Sequence, residues 1–147
     1  MLNSTVLTAK DIKEIANLKG KEKGIDLTHI EISKGIKFSG KIKTKVNSNF
    51  NGIVYIREVV NNKIILELKD LRVTSFGILK GVPNIMLKAI IKVFGEDYLD
   101  IKGNSIIINL EKVNRNSIIY NTSITDVYIN NNSLYIIGTN LDMYLNA

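Results

Sequence analysis

The sequence predicts an α+β fold in which a long, curved antiparallel sheet wraps around one central apolar helix, with a short amphipathic helix at the N-terminus. Several segments alternate apolar and polar residues, as do strands with one face in the core and one in water. One central segment, 83–94, is instead apolar around most of its helical girth. The chain has 147 residues, 45% hydrophobic and 23% charged, which favours one domain, 1–147, with a real core.

The first helix is predicted from its N-terminal cap. Thr8 followed by Asp11 resembles a capping box, in which each residue's side chain accepts a hydrogen bond from the other's backbone N–H. Ile12 and Ala16 then share one face of the helix, so it should lie on a surface. Gly20 is expected just after the last helical residue, at the start of an exposed loop.

From Ile25 onward the hydrophobic period is two, which indicates strands. The clearest strand is Ile36–Val46, where apolar residues alternate with a stripe of lysines that includes Lys37, Lys41 and Lys43. We expect a polar turn over Asn47–Gly52 and the next strand over 53–60.

The alternation after residue 60 predicts a hairpin and a bulge. Asn61-Asn62 is a tight-turn signal, and the strand that follows has its apolar residues at even positions as far as Leu68. Leu71 and Val73 are odd, so we expect a bulge near Lys69-Asp70. The segment 75–81 should then break the strand pattern.

The segment 83–94 predicts the central helix. Pro83 suits the first turn, and Gly95 ends the segment. Its polar residues are spaced by four and, together with Lys80, occupy a stripe about 120° wide at ~100° per residue, which leaves roughly 240° apolar. Each exposed large apolar side chain would forgo roughly 1.5–3 kcal/mol of burial. The helix must therefore be gripped by a curved sheet, be buried in a dimer, or face a bound apolar ligand.

The remaining sequence predicts two more hairpins and a last strand. Gly103-Asn104 and Asn130-Asn131-Asn132 are turn signals between alternating segments. A polar connection is expected over 114–121, and a final strand over 141–145.

Residue types that carry chemistry are scarce in this chain. His29 is the only histidine and there is no cysteine, which argues against a zinc site and against nucleophile–base catalysis. His29 is accordingly expected to be structural or solvated. The acidic residues Glu96, Asp97 and Asp100 lack the pattern of a calcium loop, and the glycines at 77, 81 and 95 form no phosphate-cradling motif. The sequence therefore predicts a protein that is not an enzyme, with no metal and no cofactor.

The chain is basic, which bears on binding to nucleic acid and to membranes. The net charge of +6 makes the lysine stripe the best nucleic-acid candidate. The chain has only three arginines, and no aromatic residue is interleaved with these lysines to stack on a base, so a solvated sheet face is favoured over nucleic acid. Attraction to an anionic membrane surface is a further alternative.

The sequence has neither a recognisable signal nor an apolar span of ~18 residues, which predicts a cytoplasmic location.

The order of elements and the hydrophobic spacing resemble those of a known group of proteins. The matching segments are Gly35–Gly40, Leu71–Gly77, Val82–Ile91, Tyr98–Leu110, Ser123–Ile129 and Ser133–Gly138. Together they resemble the bacterial LmeA-like and YpmS-like families of small lipid-binding domains, whose architecture is similar to the tubular lipid-binding (TULIP) superfamily. The resemblance covers most of the chain from Lys34 to Gly138.

This resemblance implies a binding role without catalysis, with an acyl chain or similar lipid between helix and sheet. The ligand-binding residues that it implies lie on both elements. They are Phe38, Ile42, Leu66 and Leu68 on the sheet, and Ile85, Ala89, Ile90, Val93 and Phe94 on the helix.

The functional prediction is thus non-enzymatic binding of a lipid or another apolar ligand. The alternative is an interaction module whose apolar helix forms a homodimer or docks a partner. Weak, salt-sensitive nucleic-acid binding through the lysine stripe comes third.

Overall fold

The computed structural model describes residues 3–21, 24–43, 47–75, 78–80, 99–109 and 123–139. Within these ranges it contains one helix and ten strands. In chain order they are β1 (Asn3–Leu7), α1 (Ala9–Gly20), β2 (Ile25–Ile32), β3 (Ile36–Lys43), β4 (Asn47–Val60), β5 (Lys63–Ser75), β6 (Ile78–Lys80), β7 (Leu99–Lys102), β8 (Ser105–Asn109), β9 (Ser123–Asn130) and β10 (Ser133–Thr139).

The strands form two antiparallel sheets. A three-stranded sheet has the order β1-β10-β9, and a seven-stranded sheet has the order β2-β3-β4-β5-β8-β7, with β6 paired to the far end of β5. The predicted α+β class with a mostly antiparallel sheet is confirmed. The central helix predicted over 83–94, the connection over 114–121 and the last strand over 141–145 lie outside the described residues. Within the described part of the chain, no helix has the length and hydropathy needed to cross a membrane.

The predicted cap of α1 is confirmed, but the predicted end is wrong. The Asp11 N–H donates to the Thr8 hydroxyl at 3.2 Å, and the Thr8 N–H donates to the Asp11 carboxylate at 2.9 Å. Gly20 is the last helical residue, not the first one beyond the helix. A Cβ at Gly20 would lie 2.7 Å from the Ile25 carbonyl oxygen, so close packing of α1 against β2 requires a glycine there. The left-handed residue of this connection is Gly24, with φ 76°.

Helix α1 is held against the free edge of β2 by one side chain. The Asn17 amide donates to the Leu27 carbonyl at 3.1 Å and accepts from the Leu27 N–H at 2.7 Å. These two bonds satisfy the Leu27 N–H and C=O that a further strand would otherwise pair, so they protect the edge of the seven-stranded sheet at this residue.

The polar turn predicted over Asn47–Gly52 is wrong, because β4 runs unbroken from Asn47 to Val60. Its first half pairs with β3 at every residue from Asn47 to Val54. Phe50 and Gly52 are buried there, whereas Asn49 and Asn51 are exposed. The asparagines therefore occupy the solvent face of a strand, where pairing with a neighbour outweighs their preference for turns. The break expected over 75–81 also contains a short strand, β6.

The predicted tight turns and the bulge are confirmed. Asn61 and Asn62 have φ of 50° and 61°, and Asn131 and Asn132 have 48° and 60°, as in a two-residue hairpin of mirror-image type. Asp70 has φ 55°, and the β4–β5 register shifts beside it. The bulge returns Leu71 and Val73 to the buried face after the even-numbered run, which explains the frame change in the sequence.

Three apolar clusters form the core on one face of the seven-stranded sheet, which we call the apolar face. One is centred on Ile25, Phe50 and Val73, and a second on Leu68 and Leu71. The third joins the two sheets, because Ile64 of β5 packs with Val127 of β9.

Candidate functional site

The apolar face is the first candidate site, and all four sheet residues predicted to bind ligand lie on it. Leu68 is buried, and Phe38, Ile42 and Leu66 are half-buried. Phe38 packs against both the Val73 cluster and the Leu68 cluster, whereas Ile42 belongs only to the former. Leu66 packs against the cluster that joins the sheets. The structure therefore spreads these residues along the face instead of gathering them at one point.

Two reciprocal phenylalanine–glycine pairs form the middle of the apolar face. Phe38 is directly opposite Gly52, and Gly40 is directly opposite Phe50. A Cβ at Gly52 would lie 2.8 Å from the Phe38 ring, and one at Gly40 would lie 2.6 Å from the Phe50 ring. Each ring thus covers the glycine of the neighbouring strand, and the ring centroids are 6.0 Å apart.

The three-stranded sheet covers only one end of the apolar face. Its residues Ile124, Val127, Leu134 and Ile136 pack within the Ile64 cluster. The other two clusters contain no described residue of β1, β9 or β10. Ile101 of β7 and Ile106 of β8 extend the face beyond β5, since they pack against Leu68 and Leu71.

The five helix residues predicted to bind ligand cannot be placed on this face. They are Ile85, Ala89, Ile90, Val93 and Phe94, and all lie outside the described residues.

The opposite face of the seven-stranded sheet, the outer face, is mostly polar but includes Ile53 and Ile65. Glu67 is mostly buried among its neighbours: it pairs with Arg57, and the Lys69 ammonium lies 3.4 Å from its carboxylate. The same ammonium lies 5.5 Å from the centroid of the Tyr55 ring. This arrangement is an ion-pair cluster across β4 and β5.

The lysine stripe of β3 lies on the outer face next to acidic residues. Lys41 is directly opposite Asp26, and Lys37 is directly opposite Glu31. Neither lysine forms an ion pair with the acid opposite it, but the neighbouring carboxylates lower the net positive potential of the stripe. This arrangement weakens the case for a nucleic-acid site on β3.

A second candidate site is a depression of about 380 Å³ on the outer face. Its polar lining residues come from four strands, with His29 from β2 at one side and Arg72 from β5 at the other, and Phe38, Gly52 and Ile53 complete the lining. His29 is exposed, and its Nε2 lies 4.0 Å from the Glu31 carboxylate. The lining residues come from different strands and lie between positions 29 and 72 of the sequence. The strand register brings them together, so no local motif could have indicated this depression.

The described residues contain no group of three or more histidine, cysteine or acidic side chains placed to hold a metal ion. Among the groups of α1, the pKa of Asp11 is lowered, chiefly by the hydrogen bond that its carboxylate accepts from the Thr8 backbone.

Comparison with known protein families, curated proteins and solved structures finds no match. The resemblance to the LmeA-like and YpmS-like families therefore stays a prediction from the sequence.

Proposed function

We propose that this protein binds a lipid or another apolar ligand without catalysing a reaction, between the apolar face of the seven-stranded sheet and the helix predicted over 83–94. The observation that supports the proposal is the extent of this face. It runs from Ile42 of β3 to Ile101 of β7, but the described three-stranded sheet packs only against its Ile64 end. An apolar surface that extends across this many strands is stable only when other apolar groups pack on it and exclude water.

The path of the chain supports placing the predicted helix along the sheet. Lys80 pairs with Val73, whereas Leu99 pairs with Ile108, which in turn pairs with Ile64. Val73 and Ile64 are roughly 30 Å apart along β5, at ~3.3 Å per residue. The connection 81–98 must span that distance, and a helix over 83–94 would account for about 18 Å of it.

The residues on the two faces of the seven-stranded sheet support placing the predicted helix on the apolar face. The outer face has charged residues on every strand from β2 to β5, whereas the positions between them on these strands, which lie on the apolar face, are mostly apolar residues or glycine. A helix with roughly two-thirds of its girth apolar fits the apolar face alone. A ligand between the two would be an acyl chain or a similar hydrocarbon, which gains ~0.8 kcal/mol per buried methylene.

A filling substitution tests the proposal. Val54 and Ile53 are adjacent, half-buried residues of β4 on opposite faces of the sheet, and Val54 is opposite Leu68 in a cluster that the three-stranded sheet does not cover. Val54→Trp adds volume where the ligand would lie, and Ile53→Trp adds the same indole to the outer face. We expect Val54→Trp to weaken binding of a fluorescent fatty acid at least ~10-fold, the equivalent of about 1.4 kcal/mol, and Ile53→Trp to leave it unchanged.

Circular dichroism and thermal melting of both variants separate lost binding from lost folding. Native mass spectrometry of the gently purified wild-type protein gives an independent readout, since a bound lipid appears as added mass. A wild-type protein that carries no lipid and does not bind the fatty acid would contradict the proposal, as would equal loss of binding in both variants.

A further inference from the structure

The depression on the outer face contains a row of four polar side chains in direct register. His29 is opposite Ser39, Ser39 is opposite Asn51, and Asn51 is opposite Arg72. These residues belong to four neighbouring strands, β2 to β5, so the row is about 14 Å long at ~4.8 Å per strand. Lys37 of β3 lies two residues from Ser39 on the same face and also lines the depression.

Most of the donors in this row have no partner among the described residues. The side chains of Lys37, Asn51 and Arg72 make no hydrogen bond or ion pair within that part of the chain, and the Ser39 hydroxyl makes none either. Arg57, on the same face, has its charge paired with Glu67. The row and Lys37 therefore offer hydrogen-bond donors that a ligand could use, unlike the neighbouring cluster, in which Arg57 is already paired with Glu67.

Two irregularities of the sheet flank the row. The β2–β3 register shifts between Leu27 and His29, and β5 bulges at Asp70. Bulges bend strands and redirect the side chains beside them, and they are frequent next to functional sites. The depression of about 380 Å³ lies between these two irregularities and is lined by both His29 and Asp70.

We propose that this row binds the phosphate group of an anionic ligand. The Arg72 guanidinium offers a planar pair of N–H donors that matches two phosphate oxygens, and the Lys37 ammonium adds a second positive charge. The Ser39 hydroxyl and the Asn51 amide are neutral donors between them. The Glu31 and Asp70 carboxylates also line the depression and balance its two cations, so the site should bind one phosphate group weakly and disfavour ligands of higher charge.

Inorganic phosphate is the first probe. Titration of the ¹⁵N-labelled full chain should give saturable NMR shifts at the amides of His29, Ser39, Asn51 and Arg72, with weak affinity because the site is open to water. Arg72→Gln should weaken the binding roughly threefold to tenfold, since it removes a charge-assisted pair of hydrogen bonds. Lys41→Gln is the matched control, because it removes a charge from the same face, opposite Asp26 and outside the depression.

Vesicles distinguish free phosphate from the phosphate of a lipid headgroup. Sedimentation with phosphatidylglycerol vesicles that is lost in Arg72→Gln but kept in Lys41→Gln, without saturable binding of inorganic phosphate, assigns the site to the headgroup. Phosphatidylcholine vesicles control for the apolar part of the lipid. Saturable, Arg72-dependent binding of inorganic phosphate assigns the site to the free ion.

The proposal is overturned if neither probe depends on Arg72, or if Lys41→Gln weakens binding as much as Arg72→Gln does. It is also overturned if phosphate shifts all exposed lysine amides equally and without saturation. Lys37→Gln provides a second variant should Arg72→Gln fail to fold. The row and the apolar ligand proposed above occupy opposite faces of the sheet, so loss of one binding activity leaves the other to be measured separately.

Discussion

Phe38 and Phe50 each lie over a glycine of the neighbouring strand. This reciprocal packing favours the observed register between β3 and β4. Gly40 is the tighter of the two glycine positions, since its Cβ would lie 2.5 Å from the Asp26 carbonyl oxygen as well as 2.6 Å from the Phe50 ring. A carbonyl oxygen of a paired strand cannot move away without breaking the ladder. The glycine is therefore required by close approach and not by an unusual φ.

We expect Gly40→Ala to lower the free energy of unfolding by about 1–3 kcal/mol, because the added methyl group must displace a ring or a paired strand. Urea denaturation followed by circular dichroism measures the change. Ser39→Ala, at the next position on the outer face, is the control and should change stability by less than ~0.5 kcal/mol. Equal stability of Gly40→Ala and the wild type would show that β2 and β3 can separate locally at no cost.

At the N-terminus of α1, Asp11 couples helix capping to pH. Its pKa is lower in the folded protein than the ordinary value of 3.8, mainly because of the hydrogen bond from the Thr8 backbone. A lowered folded-state pKa contributes stability that is present above the unfolded-state pKa and is lost as the pH falls through the folded-state value. The stability difference between the wild type and Asp11→Ala should therefore stay constant from neutral pH down to the ordinary carboxyl pKa of 3.8, and shrink as the pH falls further through the lower folded-state value. Denaturation across this range measures it, and a difference that does not change with pH would contradict the capping role.

At the scale of elements, the sequence predicted best where local signals and tertiary pairing agree. The sequence predicts the Thr8–Asp11 cap, the Asn61-Asn62 turn and the Asp70 bulge correctly, because each depends on residues close together in the chain. The turn predicted over the first half of β4 is wrong because asparagines such as Asn49 and Asn51 are common in turns. Their environment is set by β3 and β5 on either side, which a local pattern does not contain.

The packing of α1 against the edge of β2 also depends on the Asn17 side chain, which makes two hydrogen bonds to the backbone of Leu27. Asn17→Ala removes both hydrogen bonds to Leu27 and leaves a half-buried N–H and C=O without partners. We expect a loss of about 1–3 kcal/mol in the free energy of unfolding and faster hydrogen exchange at the Leu27 amide. Glu14→Ala, on an exposed position of the same helix, serves as the control. Unchanged exchange at Leu27 in Asn17→Ala would mean that the edge is protected by something else.

At the scale of the whole molecule, the sequence predicted the class but not the division into two sheets. Hydrophobic alternation identifies which face of each strand is buried, yet it does not say which strands pair. Nothing local indicates that β1 joins β10, or that Val127 packs against Ile64. The same limit applies to the row from His29 to Arg72, since it exists only once β2 to β5 are in register. The apolar positions of β3 and β5 could be predicted, because they follow directly from the alternation, but Phe50 and Gly52 could not, since they lie in the segment predicted as a turn.

The pairing of β1 with β10 has a consequence for how the chain reaches its native state. Asn3 is opposite Gly138 and Leu7 is opposite Leu134, so the three-stranded sheet forms only after segments from near both ends of the sequence meet. Contacts of such large sequence separation require costly loop closure and slow the folding reaction. In the seven-stranded sheet, β2 to β5 pair as hairpins of consecutive strands and have no such requirement. We therefore expect refolding in which β2 to β5 gain amide protection first and β1 gains it last, as pulsed hydrogen exchange would measure.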